Sequence, residues 1–288
     1  METVRMCGVR LFAALVATGL VVAPSLPAAE PLRFAPLPRE SAEAVVRQFL
    51  PMTGYLERHL ERRIEYVYFE GYGEILHAFA AGKIDLAYLG PLGYVRLRDH
   101  YPEAIPLVQF NEAHGDPYYR CVLVATAGLG PRPEVCAGAT VALTQPLSTC
   151  GYLGTGALLR EIEGVGLEEA DVRYLGSHDA VALAVVAGEF DLGGMKDDIA
   201  HRHAVLGLDV VAETDRIMPG HVLAANGETL SADLREWIGR LLREAPPAVY
   251  SGWGEPTRYG AVAVDDAEYD VIRRMGGLQP IPGEGRRP

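Results

Sequence analysis

Ala81-Gly82-Lys83-Ile84-Asp85-Leu86 and Ala187-Gly188-Glu189-Phe190-Asp191-Leu192 read as one unit written twice, 106 positions apart. In each, an alanine-rich stretch ends at a glycine and an apolar run follows, as where a helix stops and a strand begins. Outward from the first copy lie strand Leu32–Leu37, a helix from Ser41 to about Glu61, strand Ile64–Phe69 and helix Tyr72–Ala81, then strand Ile84–Leu89, helix Leu92–Arg98 and strand Ile105–Phe110. Val45, Val46, Phe49, Leu50, Met52, Leu56 and Leu60 recur mostly three or four apart on the first helix, which gives it one buried face. Pro51 is expected to kink it. Around the second copy lie strand Tyr119–Ala125, the Gly/Pro-rich stretch Gly128–Pro133, and strands Thr140–Leu143, Val172–Leu175 and Phe190–Leu192. Helices from Gly151, Ser177 and about Lys196 separate them.

This alternation predicts an α/β fold. The repeat points to two related lobes rather than one large sheet, although helix-Gly-strand junctions also recur without kinship, because glycine is favoured just past a helix end. Strand Val222–Ala225 and helices Ser231–Arg243 and Glu268–Met275 are too little for a third domain, so they are expected to rejoin the first lobe. The division expected is residues 30–117 plus 220–288 for lobe 1 and 118–219 for lobe 2, with crossing segments near Tyr118 and Thr214–Gly220. A two-segment hinge of this kind leaves a cleft between the lobes, a usual place for a ligand.

With 49% hydrophobic and 22% charged residues, the chain has the balance of an ordinary globular protein, and a formal charge of -12 repels phosphate backbones and anionic lipid. Nucleic acid is therefore not an expected partner. Arg5 and Arg10 precede an uncharged apolar run, Leu11–Ala23, and small residues follow at Ala28-Ala29, the layout of a secretory signal. The run is too short for a membrane span. Cys7 precedes it, where a lipid-bearing cysteine would have to follow, so residues 1–29 are expected to be a cleaved leader and the mature protein a soluble exported one. Export permits disulfides. The three later cysteines, Cys121, Cys136 and Cys150, allow one bridge at most and leave a thiol over.

Gln145-Pro146-Leu147-Ser148-Thr149-Cys150-Gly151-Tyr152 follows a strand and opens a helix, which places hydroxyls beside backbone N–H groups that have no partner within the helix. The helix dipole makes that end partly positive, so the turn can cradle an anion; an ordinary N-cap uses the same residues without a ligand. Gly176-Ser177-His178-Asp179 and Gly71-Tyr72-Gly73-Glu74 are two further helix starts after strands, and in an α/β lobe such ends point at the cleft. His178 can donate to an oxyanion or bond its own backbone. Tyr72, Tyr118 and Tyr119 can line the opening or serve as core.

These pieces, with Leu32–Pro38, Tyr88-Leu89-Gly90-Pro91-Leu92-Gly93-Tyr94 and Asp265–Asp270, come in the order found in a known family. The mature chain resembles the phosphate/phosphite/phosphonate-binding periplasmic proteins of ABC importers. The resemblance implies a type II periplasmic-binding-protein fold, closure on a small oxyanion, and delivery to a membrane permease. It also implies ligand contacts from Tyr72, from Tyr118 or Tyr119, and from Ser148, Thr149 and His178, with Asp198 where some aminophosphonate binders keep a carboxylate for the substrate amine. The ligand is expected to be held without Lys or Arg, and the protein to be a monomer.

One residue departs from the family, which usually reads Ser-Thr-Ser-Gly where this chain has Cys150. A thiol donates poorly compared with a hydroxyl. Cys121 lies close after the ligand-side tyrosines, so the two cysteines can form a bracing disulfide, pack as free thiols, or hold a soft species such as arsenite in a sensor paired with a histidine kinase. An enzyme with Cys150 as nucleophile and His178 as base is the further rival, but no third orienting group, GxSxG elbow or other hydrolase motif accompanies them. HExxH and GxxxxGK[ST] motifs are absent, so no metal or other cofactor is expected and any ATPase is a separate subunit. His201 and His203 are expected on a solvent-facing helix. Exported protein, analysed by intact mass and N-terminal sequencing, should begin at Ala29 or Glu30; a retained Met1 would overturn the leader assignment.

Overall fold

The computed structural model describes residues 29–38, 41–128, 138–276 and 281; the expected leader, apart from Ala29, and Cys136 lie outside them. The chain opens with strands β1 (Leu32–Ala35), β2 (Ile64–Tyr66), β3 (Leu86–Leu89) and β4 (Ala104–Phe110), separated by helices α1 (Ala42–Leu60), α2 (Tyr72–Ala80) and α3 (Pro91–His100). It continues through β5 (Tyr118–Tyr119), β6 (Cys121–Thr126), β7 (Thr140–Leu143), β8 (Asp171–Tyr174), β9 (Leu192–Lys196), β10 (Leu208–Glu213) and β11 (Met218–Pro219). Helices α4 (Thr155–Glu163), α5 (His178–Val186) and α6 (Asp197–His203) fall within this stretch. Strands β12 (Val222–Asn226) and β13 (Ala261–Val262) and helices α7 (Ala232–Arg243), α8 (Pro247–Tyr250) and α9 (Asp270–Arg274) complete it.

Two sheets carry the fold. One runs β13-β4-β12-β3-β1-β2 and the other β10-β6-β9-β7-β8. Apart from β13 they share a plan: three parallel strands, then an antiparallel strand arriving from a crossing segment, then one more antiparallel strand. The returning strand β12 sits in the first sheet, as expected for two lobes with the second inserted in the first. The crossing segments run side by side, with β5 antiparallel to β11 and Tyr119 opposite Met218.

The doubled sequence unit has the same job in both sheets. Gly82 (φ 67°) and Gly188 (φ 74°) end their helices in the left-handed conformation, which glycine adopts without a Cβ penalty. The next N–H groups turn back, Lys83 to the Ala78 carbonyl and Glu189 to that of Ala184. Asp85 then accepts from the Arg33 N–H (2.8 Å) and donates its own N–H to the Arg33 carbonyl. Asp191 does likewise with Thr140, whose N–H it accepts at 2.9 Å. Each aspartate thus ties the entry of the third strand to the first. Because the residues after each glycine are engaged in this way, β3 and β9 start at Leu86 and Leu192, later than the apolar runs suggest.

The structure departs from the sequence reading at two strands. The run Tyr119–Ala125 divides at Arg120, whose N–H meets the Asp197 carboxylate (3.3 Å) and whose guanidinium donates to the Thr214 carbonyl (2.6 Å), so β5 and β6 belong to different sheets. Strand β10 had no signature because it is an edge strand whose Asp209 and Glu213 are exposed, as suits a strand that must not pair further. Helix α1 runs from Ala42 to Leu60 with Pro51 inside it, and Val45, Phe49, Met52 and Leu56 are buried as its spacing requires.

Asp85 is also the partner of the Arg33 guanidinium, at 2.7 and 2.9 Å. Burial pushes its carboxyl upward, but the Arg33 bonds outweigh this and hold it below the ordinary carboxylate value. A lowered folded-state value means the group stabilises above the unfolded value, and the contribution fades as pH falls through the folded one. Asp85→Asn should therefore lower stability by about 1–3 kcal/mol at neutral pH. Its deficit in melting temperature should shrink once the pH drops below the ordinary carboxylate value of 3.8; an unchanged deficit would refute the ion pair's part in it.

Candidate anion-binding cleft

A cleft of about 240 Å³ opens where the carboxyl ends of β3, β7, β8 and β9 approach one another, with Gly90, Thr144, Ser148, Ser177, His178 and Lys196 on its walls. This is where an open α/β sheet leaves the first N–H groups of its helices unpaired.

The turn after β7 is the most constrained part. Ser148 accepts from the Gly151 N–H (3.1 Å) and so caps a turn of π-helix, Thr149–Gly154, that runs into α4. Thr149 accepts from the Leu92 N–H (3.0 Å) in the first turn of α3, a bond between elements packed on different sheets. Each oxygen thus takes a backbone proton, and each hydroxyl keeps its own proton to give. Thr144, 3% exposed, lines the same wall, and its Oγ1 has no hydrogen-bond partner among the described residues. A Cβ on Gly151 would lie 1.9 Å from that oxygen, so only glycine lets the turn sit on Thr144.

Cys150 is bonded to Cys121 at the start of β6, with their Cα atoms 4.9 Å apart. The disulfide sulfur has no S–H to donate, no thiolate to bind a soft ion and no nucleophile to offer. The thiol-based alternatives, sensor and enzyme, thereby lose the group they need. Gly154 is pressed against the bridge, since a Cβ there would lie 2.7 Å from the Cys121 sulfur.

Tyr72, at the start of α2, and His178, at the start of α5, both line the cleft. Ser177 caps α5 by accepting from the Ala180 N–H (3.1 Å). Of the two hinge tyrosines, Tyr119 lines the cleft and is 4% exposed. Tyr118 does not: neighbours on a strand point to opposite faces, and its hydroxyl donates outward to Glu268 (3.3 Å). The Tyr118 phenol is pushed up first by burial and then by Glu268.

The ligand was expected to be held without Lys or Arg; the cleft walls nevertheless carry Lys196 and Arg202. Lys196 ends β9, is one-tenth exposed, forms an ion pair with Glu112, and has Asp198 at 3.5 Å. Its ammonium lies 5.1 Å from the centre of the Tyr119 ring. Asp198, at the start of α6, is therefore on the wall but beside a cation. His221, just after β11, is a second lining residue that sequence patterning gave no reason to select. Nothing in a strand's periodicity says which way its terminal Lys, or a His in a short connector, will point. Nor does His203 face solvent: its Nδ1 meets the Ile199 carbonyl (3.0 Å) and its Nε2 meets Asp179 (3.3 Å), which ties α6 to α5.

The family model described as "ABC transporter, phosphonate, periplasmic substrate-binding protein" matches residues 34–269. The chain belongs to this family. Among curated relatives, the phosphate-import protein PhnD of Mycolicibacterium smegmatis is 26% identical, over 85% of each chain. Among solved structures, PhnD1 of Prochlorococcus marinus in complex with methylphosphonate superposes with a TM-score of 0.72 at 15% identity, covering 86% of this chain and 97% of its own. A binding-protein component of a Pseudomonas aeruginosa phosphonate transporter gives 0.71 at 19% identity, over 86% of each chain. The two-lobed α/β fold is thus that of periplasmic binding proteins. Family membership makes the chain a periplasmic substrate-binding component of an ABC importer, with a small ligand and a membrane permease as partners. Its homologues are substrate-binding transport proteins rather than enzymes.

Gly151→Ala drives a methyl group onto Thr144 and must move the turn that carries Ser148 and Thr149. It should destabilise the protein by about 1–3 kcal/mol. It should also remove most of the ligand-induced rise in melting temperature, whereas a full ligand response in this variant would show that the turn tolerates displacement.

Proposed function

We propose that the protein captures a small phosphorus oxyanion, a phosphonate, phosphite or phosphate, in this cleft and delivers it to its permease. The observation that carries the reading is the convergence on one wall of Ser148, Thr149 and the Thr144 hydroxyl, which has no hydrogen-bond partner among the described residues, each with a proton to give. Neutral donors at a helix start suit an anion whose charge is spread over several oxygens. The complexed methylphosphonate of one structural relative and the phosphate import named for the curated one favour the same class. In this reading Tyr72, Tyr119 and His178 close the oxyanion's remaining sides, and Asp198 faces its non-phosphorus end with Lys196 tempering its pull on a cation. Residues 30–117 with 220–288, and residues 118–219, act as two bodies that close over it about the paired strands β5 and β11. The leader directs export.

A thermal-shift screen of phosphate, phosphite, methylphosphonate, 2-aminoethylphosphonate, sulfate and arsenite, with and without reductant, tests the class. A phosphorus oxyanion should raise the melting temperature and arsenite should not. Ser148→Ala should weaken the best ligand by about 1–2 kcal/mol, roughly five- to thirtyfold. Unchanged affinity in that variant would remove the hydroxyl wall from the site. Asp198→Asn should weaken 2-aminoethylphosphonate more than methylphosphonate, because only the former carries a cation to pair.

A further inference from the structure

Thr144, directly after β7, carries a hydroxyl that nothing in the described fold uses. The residue is 3% exposed and lines the cleft, and its Oγ1 has no hydrogen-bond partner among the described residues. The side chain has little room to turn elsewhere. Its carbonyl accepts from the Gly176 N–H (2.8 Å), which pins the backbone to the turn before α5. A Cβ on Gly151 would lie 1.9 Å from Oγ1, 2.8 Å from Cβ and 2.8 Å from Cγ2, so that glycine packs across the whole side chain. Branching at Cβ restricts χ1 further. A hydroxyl buried without a partner is unfavourable, and valine would fill the same space without that cost. Gly151 also gives its N–H to the Ser148 Oγ (3.1 Å), so the two hydroxyls flank one glycine. The residue before it, Cys150, has committed its sulfur to the bridge with Cys121 and has no proton to donate.

We propose that Thr144 is the specificity-determining residue of the cleft: it supplies the donor that the Cys121–Cys150 bridge removes, and so selects a phosphorus bearing three oxygens over one bearing two. The inference rests on the oxyanion reading above and deepens it, because it gives the ligand's head group a required shape. Ser148 and Thr149 each accept one backbone N–H and have one proton left to donate. Two such donors serve two oxygens. Thr144 adds a donor for the third, so a head group with three oxygens, as in a phosphonate, phosphite or phosphate, satisfies all three hydroxyls. A phosphinate has two oxygens and two carbon substituents on phosphorus. It satisfies Ser148 and Thr149 and sets an apolar group against the Thr144 hydroxyl, which then stays unpaired beneath the ligand. Discrimination of this kind comes from what the wrong ligand leaves unbonded more than from what the right one gains. The same hydroxyl costs the ligand-free protein stability, which is why its retention in place of valine points to a ligand.

The test compares the mature protein with Thr144→Val, which keeps the shape and loses the hydroxyl, and with Thr144→Ser, which keeps the hydroxyl and loses the methyl group. Binding of methylphosphonate and of dimethylphosphinate is measured by calorimetry. Each ligand's own charge is common to all the proteins, so the ratio of variant to wild type reports the hydroxyl. Thr144→Val should lose at least about tenfold in affinity for methylphosphonate and less than about twofold for the phosphinate. Thr144→Ser should stay within about threefold of the wild type for both. Without ligand, Thr144→Val should melt no lower than the wild type, because it removes an unpaired group and breaks no bond. A lower melting temperature together with unchanged affinity would make the hydroxyl a structural one and overturn the proposal, as would equal losses for the two ligands. Thr144→Ala replaces the valine variant in the binding measurements if that variant does not fold. A phosphinate too weak to measure in any of the proteins leaves the methylphosphonate loss, and its absence in Thr144→Ser, to decide. If Thr144→Val binds methylphosphonate as the wild type does while Ser148→Ala loses affinity, the oxyanion reading stands without Thr144. A wild-type protein that binds neither methylphosphonate nor inorganic phosphate would overturn the reading itself, and the proposal with it.

Discussion

The Cys121–Cys150 disulfide fastens the turn that carries Ser148 and Thr149 to the first residue of β6, a strand that leads directly from the crossing segment β5. That one bond determines how much of the cleft is preorganised. On one side of it Gly154 packs against the Cys121 sulfur; on the other Gly151 packs against Thr144; between them the backbone winds as a π-helical turn. A π-turn makes weaker use of its own hydrogen bonds than an α-helix and is uncommon except where a site needs it. Here the covalent tie offsets what the turn lacks. The bridge closes a separation of 29 residues, and on loop entropy alone such a constraint stabilises the folded state by about 3–4 kcal/mol. A hydroxyl in place of Cys150 would give one more donor and would free the turn to move. This chain has exchanged a donor for rigidity.

The charges of the cleft follow a similar economy. Lys196 is one-tenth exposed and would be costly to bury alone, yet Glu112 and Asp198 flank it and the Tyr119 ring lies over it. A buried ion pair of this kind contributes little net stability once its desolvation is counted, but removing either partner leaves the other stranded. Its value is geometric. Glu112 precedes β5, Lys196 ends β9 and His221 follows β11, so the cluster joins both crossing segments to the second sheet. A chain with a formal charge of -12 can still present a cation at the cleft wall, because Glu112 and Asp198 together hold Lys196 there.

Much of this was legible in the sequence. The two copies of the Ala-Gly-x-x-Asp-Leu unit foretold two sheets on one plan, because the left-handed glycine and the strand-tying aspartate are local devices that a short motif can encode. The helix starts at Tyr72, Ser148 and His178 were visible for the same reason. The edge strand β10 was not, since its exposed face carries charges and breaks the alternation that marks a half-buried strand. Lys196 and His221 were missed because their meaning lies in partners 84 and 109 residues away in sequence, Glu112 for both. A constellation of that kind is a property of the hinge's path and leaves no spacing to read.

Among the described residues, polar links that join elements of different sheets at the cleft include Thr149 to the Leu92 N–H, Gln145 to the Pro38 carbonyl (2.8 Å), and Lys196 to Glu112. Parting the sheets would break all three, but water would take up each group, so every link contributes only about 0.5–1.5 kcal/mol to staying closed, somewhat more for the charged one. In the proposed capture a ligand favours the closed form only by what it adds to that form alone. The hydroxyls of Ser148 and Thr149 belong to one sheet's side of the cleft, and Gly90 and the His221 ring to the other. An oxyanion small enough to touch both sides at once is therefore the kind of ligand whose binding and whose closure are the same event, whereas a ligand reaching only the hydroxyl wall would bind the open form equally well and close nothing.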